Sequence, residues 1–125
     1  MEKLQFIAEQ MAAIAVPYEF MRWSSAIEYP YFVGEITEEP TSTEDGAERS
    51  TMLLVGFTRG SYLDIETIKE RIKSHFSPVY GLRGQTSGGS AIAVYFDGAF
   101  YVPTGEADLK KLQINLKIYE WKGAI

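Results

Sequence analysis

The stretch from Ser50 to Phe76 constrains the fold more than any other part of this chain. Met52, Leu53, Leu54 and Val55 form an uninterrupted apolar run, the pattern of a strand covered on both faces. Gly60 ends the extended segment. Ser61-Tyr62-Leu63-Asp64 then has the S-x-x-D spacing of a capping box, in which hydroxyl and carboxylate each accept from otherwise unpaired backbone N–H groups. Ile65, Ile68, Ile72 and Phe76 recur at helical spacing, so one stripe turns inward while Glu66, Lys69, Glu70, Arg71 and Lys73 take the other faces. Asp64 and Glu66 near the start, and Lys73 and His75 near the end, match the helix macrodipole. The expectation is a helix lying across one face of a sheet.

The rest of the chain supplies the other elements. Leu4, Ile7, Met11 and Ile14 predict a helix from Glu2 to Ala15, stopped by Pro17. Tyr18 to Trp23 and Tyr31 to Thr37 read as strands, the second opened by Pro30. Glu38 to Glu48 is a polar stretch between two strands and predicts a long, mobile hairpin tip. Ser77 to Ser90 carries Gly81, Gly84, Gly88 and Gly89 and reads as a long connection. Asp97-Gly98 is the strongest hairpin signal, joining Ala91–Phe96 to Ala99–Val102. Thr104 to Ala107 is a turn. Leu112, Ile114, Leu116 and Ile118 alternate with Lys111, Gln113, Asn115, Lys117 and Tyr119, which predicts a long antiparallel strand with one wet face. The sum is a single α+β domain over residues 1–125: a mostly antiparallel sheet of five to six strands with two helices packed on one face.

The search for chemistry is mostly one of exclusion. The chain has no cysteine, which removes disulfides, zinc–thiolate sites and thiol catalysis. Its apolar stretches are shorter than a membrane span, and the amino-terminal segment is too polar for a secretory signal. His75, the one histidine, has no Ser or Asp partner at a recognisable spacing and suits a helix C-terminus. The glycine-rich loop follows a helix and lacks the phosphate-loop pattern. The acidic stretch lacks the calcium-loop order. No enzyme, metal or cofactor is expected.

Charge and aromatic residues remain. The net charge of −5 argues against general nucleic-acid binding. Glu38, Glu39, Glu44, Asp45 and Glu48 cluster in one stretch, whereas Lys69, Arg71, Lys73 and Arg83 make the 59–83 region lean basic. Two patches of opposite sign suit head-to-tail self-association, and equally an ordinary solvated surface. Tyr119 and Trp121 fall opposite the apolar face of their strand, where exposed rings often mark an interface.

The amino-terminal helix, the strand containing Tyr29-Pro30-Tyr31-Phe32-Val33, the acidic hairpin stretch, the run Leu63-Asp64-Ile65-Glu66-Thr67-Ile68 and the closing strand Leu112 to Tyr119 together resemble the tail terminator, or tail-completion (neck), proteins of long-tailed bacteriophages. The resemblance spans nearly the whole chain and is one of length, element order and texture. It implies a virion structural protein made in the bacterial cytoplasm, a hexameric ring that caps the tail tube and stops its polymerisation. The implied partners are copies of itself, the tube protein and the head connector, with DNA passing through the lumen. It implies no catalytic residues. The Glu38–Glu48 stretch is then a candidate lumen surface, and the 38–48 and 77–90 loops are expected to order on assembly. The alternative is a small ligand- or peptide-binding α+β domain, monomeric or dimeric and without catalysis, that uses the sheet face around Trp23, Tyr119 and Trp121.

Overall fold

The computed structural model describes residues 2–24, 26–42 and 46–121. The elements run α1 Glu2–Ala13, β1 Tyr18–Phe20, β2 Tyr31–Ser42, β3 Glu48–Thr58, α2 Tyr62–His75, β4 Leu82–Gln85, β5 Ala91–Val102 and β6 Lys110–Trp121. One six-stranded sheet has the order β1-β2-β3-β6-β5-β4. Among the described residues β1 pairs in parallel with β2, and the other pairings are antiparallel. The expected α+β architecture holds, with both helices on one face. The two helix-and-three-strand halves place their strands symmetrically about the β3–β6 pair, but they differ at the outer strands, one parallel and one antiparallel.

The helix side of the sheet is the core. Strand alternation sends Phe32, Met52, Leu54, Leu112, Ile114, Leu116, Ile92 and Val94 to that side. They meet Phe6, Ile7 and Met11 of α1 and Ile65, Ile68, Ile72 and Phe76 at α2. Each fully buried aliphatic or aromatic side chain of this kind contributes roughly 1.5–3 kcal/mol. Gly56 is part of the fit: its strand neighbour Phe32 lies flat against the bare backbone, and a Cβ there would sit 2.4 Å from the ring.

The helix ends follow local chemistry. At the start of α2, Ser61 N donates to Asp64 Oδ2 at 3.3 Å, which completes the carboxylate arm of the capping box. α1 ends two residues earlier than the spacing predicts. Ala15 adopts a left-handed φ of 57°, and Val16 N donates to Met11 O at 2.9 Å, so a Schellman-type reversal closes the helix before Pro17 acts.

Several expectations are corrected. Asp97-Gly98 is not a hairpin turn. β5 runs straight through it with a register shift between Phe96 and Ala99, and Gly98 takes a φ of 119° as the extra residue of a bulge. Both flanking segments pair with β6, whose long apolar alternation outcompetes a local hairpin. The glycine-rich connection contains a short edge strand, β4, because β5 offers it a partner. The Glu38–Glu48 stretch is largely strand: β2 reaches Ser42 and β3 begins at Glu48, leaving 43–45 outside the described residues. The Tyr18–Trp23 strand ends at Phe20, where Met21 takes a left-handed φ of 71°. Finally, the run Met52–Val55 is covered on one face only. Met52 and Leu54 are fully buried, whereas Leu53 and Val55 are half-buried on the side away from the helices.

Gly56→Ala is expected to cost about 1–3 kcal/mol, because the new methyl must displace the Phe32 ring in a packed core. Urea denaturation of the two proteins measures it, and an unchanged midpoint would show that the ring moves freely.

Candidate binding face

The side chains that alternate away from the core lie in rows across the strands. Glu35, Leu53 and Asn115 form one row, and Val33, Val55, Gln113 and Phe100 the next. Tyr31, Phe57 and Lys111 follow towards one end of the sheet, and Thr51, Lys117 and Tyr95 lie towards the other. Most of these residues are half-buried, shielded by their row neighbours rather than by a covering element, and Phe100 is 50% exposed.

Aromatic groups bracket this face. At one corner Tyr31 lies 4.9 Å from Trp23, 5.7 Å from Tyr29 and 5.3 Å from Phe57, centroid to centroid. The Lys111 ammonium stands 5.9 Å over the Phe57 ring. At the far corner Tyr119 meets Tyr95 edge-on at 5.8 Å and stacks with Trp121 at 6.4 Å. Arg83 Nη2 donates to the Tyr95 hydroxyl at 3.2 Å from the edge strand β4. Such ring clusters present large, stiff contact surfaces at small entropic cost.

The candidate residues divide between the two sides of the sheet. Tyr119, Trp121, Arg83 and Glu39 belong to the open face; Glu39 Oε2 lies 2.9 Å from Arg49 Nε, an ion pair without hydrogen-bond alignment. Glu38 turns the other way and sits 3.5 Å from the Lys3 ammonium. Glu48 opens β3 opposite Glu120. Glu44 and Asp45 lie outside the described residues. Lys69, Arg71 and Lys73 stand on α2, on the helix side, and each has an intramolecular role. Lys69 pairs with Glu66 at 2.9 Å, Arg71 donates to the carbonyls of Ile14 and Ala15 at 3.0 and 3.2 Å, and Lys73 stands 5.9 Å over the Phe96 ring. The sequence reading missed Leu53, Val55, Val33, Phe57 and Phe100 as face residues. An unbroken apolar run hides which of its members look outward.

Polar ties hold the helix side. The buried Lys3 ammonium donates to Ser50 Oγ at 3.0 Å, and Thr86 Oγ1 donates to Glu2 Oε2 at 3.1 Å, which together fix the start of α1 over the sheet. Burial pushes the Tyr18 phenol up to about 12, with its hydroxyl against Met52 Sδ. At the opposite end Arg59 reaches Asp108 and Glu106 at 3.0 and 3.1 Å and Tyr29 at 3.3 Å, joining three loops. The Tyr101 hydroxyl donates to Glu66, and that bond with the Lys69 pair holds the Glu66 carboxyl below its usual range. Burial followed by the Glu66 bond raises Tyr101. A cleft of about 400 Å³ lies here, lined by Tyr62, Tyr101, Thr104, Glu106, Lys110 and Lys111. Among the described residues no group of three or more His, Asp or Glu is placed to hold a metal ion, and no helix is long and apolar enough to cross a membrane.

His75 lies at the carboxyl end of α2 as expected, but it is half-buried, with Nε2 2.8 Å from Gln10 Oε1. Burial holds its pKa below the usual 6.5, because desolvation disfavours the imidazolium. The unfolded chain therefore takes up a proton first as the pH falls. Stability is full above about pH 6.5 and declines from there towards the folded-state pKa. A small drop in melting temperature over that window is expected, and it should vanish in His75→Gln; a slope that persists in the variant would assign it to the carboxylates.

No protein-family model matches this chain, and no curated protein matches it significantly in sequence.

Proposed function

We propose that this chain is a non-catalytic binding domain that works through the open face of its sheet, taking up an extended or flat protein segment. One observation carries the reading: Leu53, Val55, Val33 and Phe57 form a half-buried apolar centre that no helix or strand among the described residues covers, with an aromatic cluster at either end. Natural interfaces share that anatomy, with apolar and aromatic anchors inside a polar rim. Here Glu35, Lys111 and Lys117 supply the rim. Peptides selected from a random library on the immobilised chain are expected to shift the amide resonances of Val33, Leu53, Val55 and Gln113, and to lose binding in Val55→Glu. Shifts confined to the helices, or binding untouched by that substitution, would reject the reading.

A second reading follows the resemblance to tail terminators: a ring subunit that caps a phage tail tube and meets the head connector, in the virion tail. The placement of charge favours it. Glu35, Glu38 and Glu39 lie on β2, near one lateral edge of the sheet, and Arg83 lies on β4, the strand at the opposite edge. Opposite signs on opposite edges suit heterologous contacts that close into a ring. Arg71 is unsuitable for a test because it holds the end of α1. Arg83→Glu should instead shrink any ring seen by light scattering at low salt and leave the circular dichroism unchanged. A ring of unaltered mass would remove edge charge as its basis.

A further inference from the structure

We propose that the open sheet face is closed by a second copy of this chain, packed sheet on sheet about a two-fold axis parallel to β3. This rests on the binding-face reading and names the partner. The first support is the run Met52-Leu53-Leu54-Val55, whose composition is that of a strand covered on both sides. Among the described residues Met52 and Leu54 are fully buried, whereas Leu53 and Val55 are only half-buried, which leaves apolar surface for a partner to cover.

The charges on the face say which outside surface fits. The open side of β2 carries Glu35, and that of β6 carries Lys111 and Lys117; β3 lies between them with the apolar residues. In a face-to-face pair the two-fold axis lies in the plane between the sheets, and its two limiting directions for aligned sheets are across the strands and along them. An axis across the strands lays β2 on β2 of the second copy and, where it passes at the Leu53 row, sets Glu35 against Glu35. An axis along β3 lays Leu53, Val55 and Phe57 on their own copies and places β2 over β6 of the other chain. Glu35 then lies over the row of Asn115, and Lys117 is one same-face step further, about 7 Å along the strand. That is the aligned packing two sheets adopt, with side chains interleaved over about 10 Å.

Both partners are available. Lys117 is 51% exposed and only 4.0 Å from Asp97, a loose pair. Glu35 is exposed, whereas Glu39 is already engaged by Arg49. The aromatic corner adds to the match, because Tyr31 of one copy comes over Lys111 of the other. The pattern is self-complementary for the axis along β3, which favours a second copy as the occupant of the face.

Sedimentation equilibrium over a concentration series tests it. The wild-type chain is expected to be a reversible dimer. Glu35→Lys and Lys117→Glu should each weaken it about tenfold, because every contact occurs twice across the axis, and the double reversal should restore it. Val55→Glu should leave a monomer with unaltered circular dichroism and a melting temperature that no longer varies with concentration. A wild-type monomer at every concentration that still binds selected peptides on this face overturns the dimer and leaves the binding reading standing. A monomer that binds none overturns both. A dimer or larger assembly indifferent to Val55→Glu and to the charge swap puts the contact elsewhere and overturns the proposal.

Discussion

The pairing of β3 with β6 is the constraint on which the remainder depends. Eleven residue pairs, from Glu48–Glu120 to Thr58–Lys110, join these two strands at the middle of the sheet without a register break. On the helix side they present Met52, Leu54, Leu112, Ile114 and Leu116, all fully buried. Sliding one strand by a single residue would send every one of these side chains to the other face. The register therefore decides at once where the core lies, where the helices dock and which residues look outward.

The periphery is held by different forces. α1 buries Phe6, Ile7 and Met11 in the core, and a buried ammonium–hydroxyl bond and a carboxylate–hydroxyl bond pin its start and the Arg71 guanidinium its end. The Arg59 fan ties the turn before α2 to the loop between β5 and β6. These contacts are local and polar, and each is worth far less than the central burial. They set the angle at which the helices lie. They leave the opposite face alone, and among the described residues Leu53 and Val55 stay half-buried there.

Much of the architecture is readable from periodicity. The alternation from Lys111 to Tyr119 and the spacing of Ile65, Ile68, Ile72 and Phe76 each have one structural solution, and Ser61 and Asp64 mark the start of α2. The misreadings share a cause. Asp97-Gly98 has the local preference of a hairpin, but β6 is long enough to pair with both flanking segments, and the dipeptide becomes a bulge. Leu82–Gln85 has no strand signature of its own and becomes one because β5 leaves an edge to be filled. Local propensity is a weak force against a ladder of non-local hydrogen bonds and buried side chains.

The candidate face shows the same division. Residue order alone settled that Tyr119 and Trp121 lie opposite Ile118, since side chains in a strand alternate with a period of two. It also settled that Met52 to Val55 is apolar throughout. Which of those four look outward was decided by the sheet register and by the docking of both helices on one side. The acidic and basic groups were likewise sorted only in three dimensions. Glu38 and Glu39 are neighbours in the chain but lie on opposite faces, and Lys69, Arg71 and Lys73 stand on α2 on the helix side, where each also makes an intramolecular contact. A linear sequence fixes the sign of each charge, but which face a charge looks out from depends on residues far away along the chain.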